Sequence, residues 1–306
     1  MGQYLLYQTV IKIINSLGRE RAYIFARLCS DVHFYSSAKD RQAVVKNLQH
    51  ILKTKEDVTL KAREVFRNFG RYLVDFFLMY KFVDDAFVKE WVNVVGYHHL
   101  TAALARGKGV VILTAHLGNW EMGAAVLNKL GHALTAIALP HKDFRVNEIF
   151  NRQRVNHGVI VVPTNLAVRG CVGALRANKC VAVLGDRDFG VFGTPMPFFG
   201  RPTLIPKGAA FFARFTGAAI VPVFLIPGKD GKYMLTFEEQ ILSLDKSEHD
   251  EAVCDADLMK KCTAVIEKNV QKNPLQWLMF REFGIEYEDL SSNPRVQRVA
   301  GARSAR

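Results

Sequence analysis

Hydrophobic and polar positions follow a helical period along the first hundred residues and change to short apolar runs afterwards. The helical period predicts helices near residues 4–28, 37–53, 56–82 and 97–105. No strand-like alternation is strong enough to predict a strand before Gly109. The apolar runs that follow predict strands at residues 110–115, 133–139, 159–162, 180–185 and 219–226, with helical segments between them.

This alternation of strands and helices predicts an α/β fold whose central sheet is largely parallel and flanked by helices, with an N-terminal helical extension. A hairpin is expected across residues 228–232, with its second strand at 233–239, and a helix over about 250–271. The last residues hold four arginines and no acidic residue, and they predict a disordered tail. The predicted division is a helical extension over 1–105, an α/β core over 106–290 and a basic tail over 291–306.

The first predicted helix is amphipathic. Its polar positions Gln8, Lys12, Asn15 and Arg19 are spaced by four, three and four residues, which leaves a wide apolar face between them. That face is typical of a helix that lies in a membrane interface, or of one that packs on the core of its own protein. No apolar run reaches the roughly 18 residues that a membrane-crossing helix needs.

The chain carries a formal net charge of +12 at pH 7. Such a charge predicts an anionic partner, which could be nucleic acid, an acidic carrier protein or a phospholipid surface. No zinc-finger spacing, RNP-like strand or KH-like clamp is present, so we expect no nucleic acid partner. The five cysteines include no CxxC pair and predict reduced thiols that pack in the fold. The histidines lack the spacing of metal ligands, so no metal is expected.

His116 and Glu121 lie five residues apart at the junction between a predicted strand and a predicted helix. On a straight helix these side chains would be about 140° apart, so the junction has to bend for them to meet. Gly118 permits such a bend, and Asn119 is a suitable N-cap. Glu121 would then hold the imidazole of His116, which becomes a general base. The alternative is an ordinary loop histidine and a first-turn charge.

Other polar side chains follow the strands at the edge of the sheet where α/β proteins bind ligands. Asp186 and Asp188 follow the run at 180–185, and Arg152 and Arg154 lie on the helix before the strand at 159–162. Either arginine could supply a cation to a phosphate or an oxyanion. The alternatives are a salt bridge within the loop for the acids and a solvated helix face for the arginines.

A long aromatic and proline-rich loop comes next, at residues 191–208. Its phenylalanines, Phe192, Phe198 and Phe199, could form a wall for an acyl chain. The alternative is a rigid connection that packs over the sheet.

Six segments in this order resemble the lysophospholipid acyltransferase superfamily, and within it the bacterial lauroyl and myristoyl acyltransferases of lipid A biosynthesis and their glycolipid-acylating relatives. The segments are FRNFGRYLVDFF, TAHLGNWE, NRQRVNHG, GDRDFG, FFGRPTLIPKGAAFFARFTGAAIVPVF and NPLQWLMF. The resemblance covers roughly residues 35–283. Any one segment is a weak signal, whereas the ordered set is specific.

The resemblance implies a role for each matching residue. His116 resembles the catalytic base of the family and Glu121 the acid that orients it. Arg152 and Arg154 resemble a basic pair near the substrate, and Asp186 and Asp188 the acids that shape the site.

Three further parts of the site are implied in the same way. Phe199, Gly200 and Pro202 resemble a wall on the phosphate or acyl side. Gln276 and Trp277 resemble the closing motif, for which structure is at least as good a reason as chemistry. The oxyanion would be stabilised by backbone N–H groups around Gly118 and Asn119, or by an arginine.

The family moves a fatty acyl group from an acyl carrier protein, or sometimes from coenzyme A, to a hydroxyl of a lipid, without metal or other cofactor. The resemblance therefore implies three partners: an acidic acyl carrier protein, an anionic membrane surface and a glycolipid acceptor such as a lipid A precursor. It also implies peripheral or interfacial attachment at the cytoplasmic face of the bacterial inner membrane. The N-terminus departs from the family, because many members begin with a longer and more apolar anchor.

Two other functions stay open on the sequence. One is a glycerophospholipid acyltransferase that acts on lysophosphatidic acid with the same His and Glu chemistry. The other is a basic peripheral lipid-binding protein without activity. A hydrolase is less favoured, because the sequence has no G-x-S-x-G elbow for a covalent route.

Overall fold

A computed structural model describes residues 2–138, 143–163, 166–188, 193–228, 230–245 and 247–284. Five helices come first: α1 (Gly2–Leu17), α2 (Arg19–Ser36), α3 (Ala38–Ile51), α4 (Thr59–Leu78) and α5 (Asp85–Trp91). The single helix predicted over residues 4–28 is wrong, because the chain turns between α1 and α2 at Gly18, whose φ is +73°. Glycine adopts this left-handed conformation without steric cost.

Strands and helices then alternate. They are β1 (Val92–Val95), α6 (Tyr97–Ala105), β2 (Val110–Thr114), α7 (Trp120–Lys129), β3 (Leu134–Ala138), α8 (Phe144–Asn156), β4 (Val159–Pro163), α9 (Ala167–Arg176) and β5 (Cys180–Leu184). The rest are β6 (Thr194–Phe198), β7 (Arg201–Ile205), α10 (Gly208–Thr216), β8 (Ala219–Pro227), β9 (Tyr233–Phe237) and α11 (Glu251–Lys272).

Seven strands form the central sheet in the order β1-β9-β8-β2-β5-β3-β4. All neighbours in this sheet are parallel except β8 and β9, which form the predicted hairpin and pair antiparallel from Pro227 opposite Tyr233. The prediction of a largely parallel sheet flanked by helices is therefore confirmed.

Two predictions about strands are wrong. β1 lies within the segment predicted to be helical up to residue 105, and it pairs with β9 in the main sheet. A strand of four residues is too short for a clear alternation.

The loop predicted at 191–208 contains the antiparallel pair β6 and β7. Prolines 195, 197 and 202 concealed it, because proline cannot donate to a sheet and is confined to strand edges.

The hydrophobic core lies on both faces of the sheet. Residues of α1, α4, α6 and α7 cover one face, and residues of α9, α10 and α11 cover the other. In β2 the four residues from Val110 to Leu113 are all at most 3% exposed, as expected for a central strand buried on both sides. A third cluster joins α2, α3 and α4 to Leu278, so the N-terminal helices pack against the core.

Candidate functional site

His116 lies just beyond the end of β2, at the carboxyl edge of the sheet. Its backbone N–H donates to Oδ2 of Asp186 at 3.0 Å, and its carbonyl accepts from the backbone N–H of Leu278 at 2.8 Å. Two segments distant in the sequence therefore fix the backbone on either side of the imidazole. The side chain is 11% exposed.

The imidazole of His116 is held by a buried carboxylate. Nδ1 lies 2.9 Å from Oδ1 of Asp186, whose side chain is fully buried. Because a carboxylate only accepts, Nδ1 carries the proton, and Nε2 is the basic nitrogen of the neutral ring. Asp186 also accepts from Nε1 of Trp277 at 2.8 Å through Oδ2.

These hydrogen bonds keep Asp186 ionised. Burial is the largest single cause and raises the pKa of Asp186, but the charge of the His116 ring in its protonated form and the hydrogen bonds from His116 and Trp277 together outweigh burial, so the pKa of Asp186 lies below its ordinary value. A stable carboxylate on Nδ1 favours the imidazolium that forms when Nε2 takes a proton.

Glu121 lies in the first turn of α7, as predicted, but its partner is not the imidazole of His116. Its carboxylate accepts from Arg154, from Nε at 3.1 Å and from a terminal guanidinium nitrogen at 2.6 Å. The carboxylate on Nδ1 of His116 is that of Asp186, so the prediction that Glu121 orients the imidazole through this nitrogen is wrong. Arg154 lies on α8, so the contact joins two helices. The sequence of α7 alone gives no indication of it.

The ion pair gives Arg154 an anionic partner within the protein, Glu121; the predicted role of Arg154 near the substrate stays a prediction. Burial is the largest single cause and lowers the pKa of Arg154, but the charge of Glu121, the hydrogen bonds to it and the charge of Tyr72 together outweigh burial, so the pKa is raised. Burial is the largest cause that raises the pKa of Tyr72 well above its ordinary value, and the charge of Glu121 adds to it.

The N–H groups predicted as oxyanion donors already have acceptors. The N–H of Gly118 donates to the carbonyl of Gln276 at 3.0 Å, and that of Asn119 donates to the carbonyl of Leu225 at 2.9 Å. These two N–H groups are therefore not available to a developing charge. Stabilisation of the oxyanion by a neighbouring N–H group or by an arginine stays a prediction. The predicted N-cap is confirmed: Oδ1 of Asn119 accepts from the N–H of Met122 at 3.0 Å.

Gly118 is required by the bend between His116 and Glu121. Its φ is +65°, and a Cβ at this position would lie 2.2 Å from the carbonyl oxygen of Leu225. A side chain would thus meet both backbone strain and a clash with β8.

The other predicted site residues lie apart from the His116–Asp186 pair. Arg152 is exposed on α8. Asp188 accepts from the N–H of Gly193 at 3.2 Å. Phe199 and Gly200 form the turn between β6 and β7, where Phe199 packs against the rings of Trp277 and Phe283. Phe199 is therefore a packing partner of Trp277. Phe192 and the end of GDRDFG lie outside the described residues.

An apolar cavity lies between the sheet and helices α7 and α8. Its wall consists mostly of aliphatic side chains: Ile112, Leu127, Leu134, Ile137, Val159, Val183, Leu184, Val223, Leu225 and Leu235. Trp120, Glu121 and Arg154 also line it. Neither Phe199 nor Gly200 lines this cavity, and their place in a wall on the phosphate or acyl side stays a prediction.

Trp120 connects this cavity to the imidazole. Its ring stacks on Tyr72 with centroids 4.4 Å apart and meets the ring of His116 edge-on at 4.9 Å. Tyr72 comes from α4, in the segment FRNFGRYLVDFF. The N-terminal helices therefore contribute directly to the surroundings of His116.

A second buried carboxylate, Asp75, lies behind the junction. Asp75 is 2% exposed and accepts from the hydroxyl groups of Tyr23 and Tyr233, from the guanidinium of Arg19 and from the side-chain amide of Asn119. Sequence reasoning missed it. The signal available was an aspartate inside the apolar stripe of α4, which is rare unless the carboxylate has partners.

The segment at residues 276–278 closes the site. Leu117 and Trp277 form an isolated bridge, flanked by the contacts of Gly118 to Gln276 and of Leu278 to His116. The closing motif therefore fixes the backbone of His116 and the carboxylate that holds its ring.

All five cysteines are free, and Cys29 alone is exposed. Burial raises the pKa of Cys171 to about 11 and those of Cys180 and Cys262 to about 12.

Within the described ranges no three His, Cys, Asp or Glu side chains converge as metal ligands. In the same part of the chain, no helix has both the length and the hydropathy for a membrane crossing.

Comparison with known proteins places the chain among lipid-modifying enzymes. The profile of the family described as bacterial lipid A biosynthesis acyltransferase matches residues 1–283. The chain is 28% identical over 236 residues to the phosphatidylinositol mannoside acyltransferase of Mycobacterium tuberculosis (strain CDC 1551 / Oshkosh), covering 75% of this chain and 71% of the relative. It is also 28% identical over 218 residues to the lipid A biosynthesis palmitoleoyltransferase of Escherichia coli (strain K12), covering 70% and 68%.

Among solved structures, the 1-acyl-sn-glycerophosphate acyltransferase PlsC of Thermotoga maritima aligns with a TM-score of 0.39 and 13% identity, covering 85% of this chain and 99% of that one.

The fold and the family match together define an α/β acyltransferase that acts on a lipid. The chain belongs to the bacterial lipid A biosynthesis acyltransferase family. The alternative of a lipid-binding protein without activity is set aside on this finding.

Proposed function

We propose that this enzyme transfers a fatty acyl group from an acyl carrier protein thioester, or from acyl-CoA, to a sugar hydroxyl of a membrane glycolipid such as a lipid A precursor. The single observation that carries the proposal is the basic nitrogen of His116, created by the buried carboxylate of Asp186 on Nδ1. The two curated relatives support a glycolipid acceptor, because their names refer to lipid A and to a mannoside.

In the proposed reaction the nucleophile comes from the substrate. Nε2 of His116 removes the proton from the acceptor hydroxyl, and the oxygen adds to the thioester carbonyl carbon. The carbon–sulfur bond then breaks, and the leaving thiolate takes the proton from Nε2. Asp186 stays ionised throughout and stabilises the imidazolium. No acyl-enzyme forms, which agrees with buried cysteines whose thiols have raised pKa values.

Glu121 and Arg154 act together in this proposal. Their ion pair joins α7 to α8 beside Trp120, and all three side chains line the apolar cavity. The charged pair would lie near the polar thioester, while the aliphatic wall beyond it accepts the acyl tail. Glu121 thus acts on the position of α7 and the cavity.

The acyl donor and the place of reaction are part of the same proposal. A net charge of +12 suits both an acidic carrier protein and an anionic membrane surface. We propose that the enzyme works as a peripheral protein at the cytoplasmic face of the inner membrane, without metal or other cofactor.

Product analysis tests this function. The purified protein is incubated with acyl carrier protein thioesters or acyl-CoA and with a lipid A precursor, a phosphatidylinositol mannoside or lysophosphatidic acid, and products are weighed by mass spectrometry. We expect one added acyl group on a glycolipid. Acylation of lysophosphatidic acid alone would instead establish the glycerophospholipid alternative, and free fatty acid alone would indicate hydrolysis.

His116→Ala is the matching variant. We expect it to lose transfer by at least about a thousandfold, because the base is gone while the backbone contacts of residue 116 remain. Far-ultraviolet circular dichroism should match wild type. His98→Ala removes an exposed histidine of α6 and serves as the control. Near-normal turnover in His116→Ala would contradict the assignment.

A further inference from the structure

Helix α2 presents a row of large apolar side chains to the solvent. Ile24, Leu28, Val32 and Tyr35 are 64%, 62%, 68% and 65% exposed. Their spacings of four, four and three residues place them on one face of the helix. Single exposed apolar residues are ordinary on protein surfaces, but four in one row are not.

The row continues onto the start of α4. Leu60 is 79% exposed and precedes Arg63 by one turn. The guanidinium of Arg63 lies 5.5 Å from the ring centroid of Tyr35 and binds Asp31. We define the α2 patch as Ile24, Leu28, Val32, Tyr35 and Leu60.

The opposite face of α2 is committed to the protein interior. Ala22, Ser30 and Phe34 are buried, and Arg19 and Tyr23 bind Asp75. The α2 patch is therefore the outward face of a helix that is anchored on its other side. Asp75 also contacts Asn119, so a single buried side chain connects α2 to the junction that carries His116.

The sequence pattern leaves two alternatives for the apolar face of α1, a membrane interface or the core of the protein. In α1, Ile14 is buried, and Val10, Ile11 and Leu17 pack against the core. Much of its apolar face is therefore used inside the protein.

The exposed charge around the α2 patch is positive on balance, with Glu20 as the exposed acid of α2. Arg21 and Arg27 are exposed on α2, and Lys61 is exposed next to Leu60. Over residues 1–78 the chain has thirteen Lys and Arg against seven Asp and Glu. Apolar side chains with flanking cations, and a tyrosine among them, are the features that bind the interface of an anionic bilayer.

We propose that the α2 patch is the surface with which this enzyme docks on an anionic phospholipid bilayer. The apolar side chains enter the headgroup boundary, and Arg21, Arg27 and Lys61 contact lipid phosphates. This inference rests on the proposed function in one respect: the lipid acceptor lies in a membrane, and the enzyme has to reach it there.

Vesicle flotation tests the docking surface directly. The full chain is mixed with phosphatidylcholine vesicles with or without phosphatidylglycerol and compared with a Leu28→Glu/Val32→Glu variant. Wild type should float, and more so with phosphatidylglycerol. The variant should bind at least about tenfold more weakly, because two apolar anchors are replaced by charges that the anionic surface repels.

The matched control is Val168→Glu/Val253→Glu. These valines are 54% and 48% exposed on α9 and α11, which cover the other face of the sheet. The control should float like wild type. Unfolding midpoints verify that each variant is folded, and Leu28→Ser/Val32→Ser replaces the glutamate variant if it is not.

Turnover of acceptor dispersed in detergent separates this inference from the proposed function. The patch variant should equal wild type there. If no protein transfers an acyl group in any assay, the proposed function fails while the flotation result still stands. Equal flotation of the patch variant and wild type would overturn the inference. So would a wild type that does not float but dimerises in sedimentation through this patch, since the patch would then bind a second copy.

Discussion

Two carboxylates near the junction that carries His116 have different partners, and these partners predict different tasks. Asp186 accepts from the ring of His116 and from Trp277, whereas Glu121 accepts from Arg154. A carboxylate that is hydrogen-bonded to an imidazole assists proton transfer. A carboxylate that is paired with a guanidinium on another helix fixes the relative position of the two helices. The chemistry of each residue follows from its partner.

Asp186→Asn should lower turnover by about 10²–10⁴-fold with little change in KM for the acceptor, because the amide no longer stabilises the imidazolium. Steady-state kinetics measure this loss. Asp245→Asn, which changes an exposed turn aspartate, serves as the control. A fall in turnover of less than about tenfold would show that the carboxylate is not needed for proton transfer.

Asp186 should also make stability depend on pH. Its pKa is lowered in the folded protein, so its contribution is complete above the unfolded pKa of about 3.9 and is lost as the pH falls through the lower folded value. The free energy of unfolding of wild type minus that of Asp186→Asn should therefore shrink as the pH is lowered from 5 to 3. Urea titrations measure it. A difference that stays constant or grows would contradict the lowered pKa.

At the scale of elements, the strand β2 and the helix α7 set the geometry of the site. The strand delivers His116 to the carboxyl edge of the sheet, Gly118 turns the chain, and Asn119 begins the helix. The same helix covers the apolar cavity with Trp120, Ala124 and Leu127. One βα unit therefore supplies both the proposed base and one wall of the proposed acyl site.

Ala136→Leu on β3 tests whether the cavity holds the acyl tail. The larger side chain fills part of the cavity, so we expect preference to move to shorter acyl chains, about tenfold in the ratio of kcat/KM values. Competition between donors of different length, read by mass spectrometry, measures this ratio. Ala102→Leu on the exposed face of α6 should leave it unchanged. An unaltered ratio in Ala136→Leu would remove the cavity from the proposal.

At the scale of the whole molecule, buried polar contacts join the N-terminal helices to the α/β core. Asp75 of α4 binds Arg19 and Tyr23 of α2 and Tyr233 of β9. Burial is the largest cause that raises the pKa of Tyr233, and the charge of Asp75 adds to it. The helical part and the sheet therefore share one network, and we expect them to unfold together.

Arg19→Met removes the cation from this network and leaves Asp75 buried with neutral partners. We expect a loss of about 1–3 kcal/mol in the free energy of unfolding, in a single transition seen by both fluorescence and circular dichroism. Arg63→Met is the control, since Asp31 is partly exposed and keeps Arg67 at 2.8 Å; its loss should be much smaller. Equal losses, or two separate transitions, would contradict a shared network.

Patterns within one segment predicted much of the fold. The apolar run of β2, the cap at Asn119 and the glycine at 118 are local features, and each has the predicted place. β1 and the pair of β6 and β7 were missed, because a four-residue strand has too few positions for a period and proline hides a strand at its edge.

The sequence by itself determined that His116 follows a buried strand and that a capped helix comes next, because strand, bend and cap depend on residues within a few positions of one another. Only the tertiary structure decided which carboxylate meets the imidazole. Asp186 is 70 residues from His116 in the chain, and Trp277 is 91 residues from Asp186. A hydrogen bond needs its atoms within about 3 Å. Only the packing of the whole sheet brings residues that are so far apart in the chain to this distance.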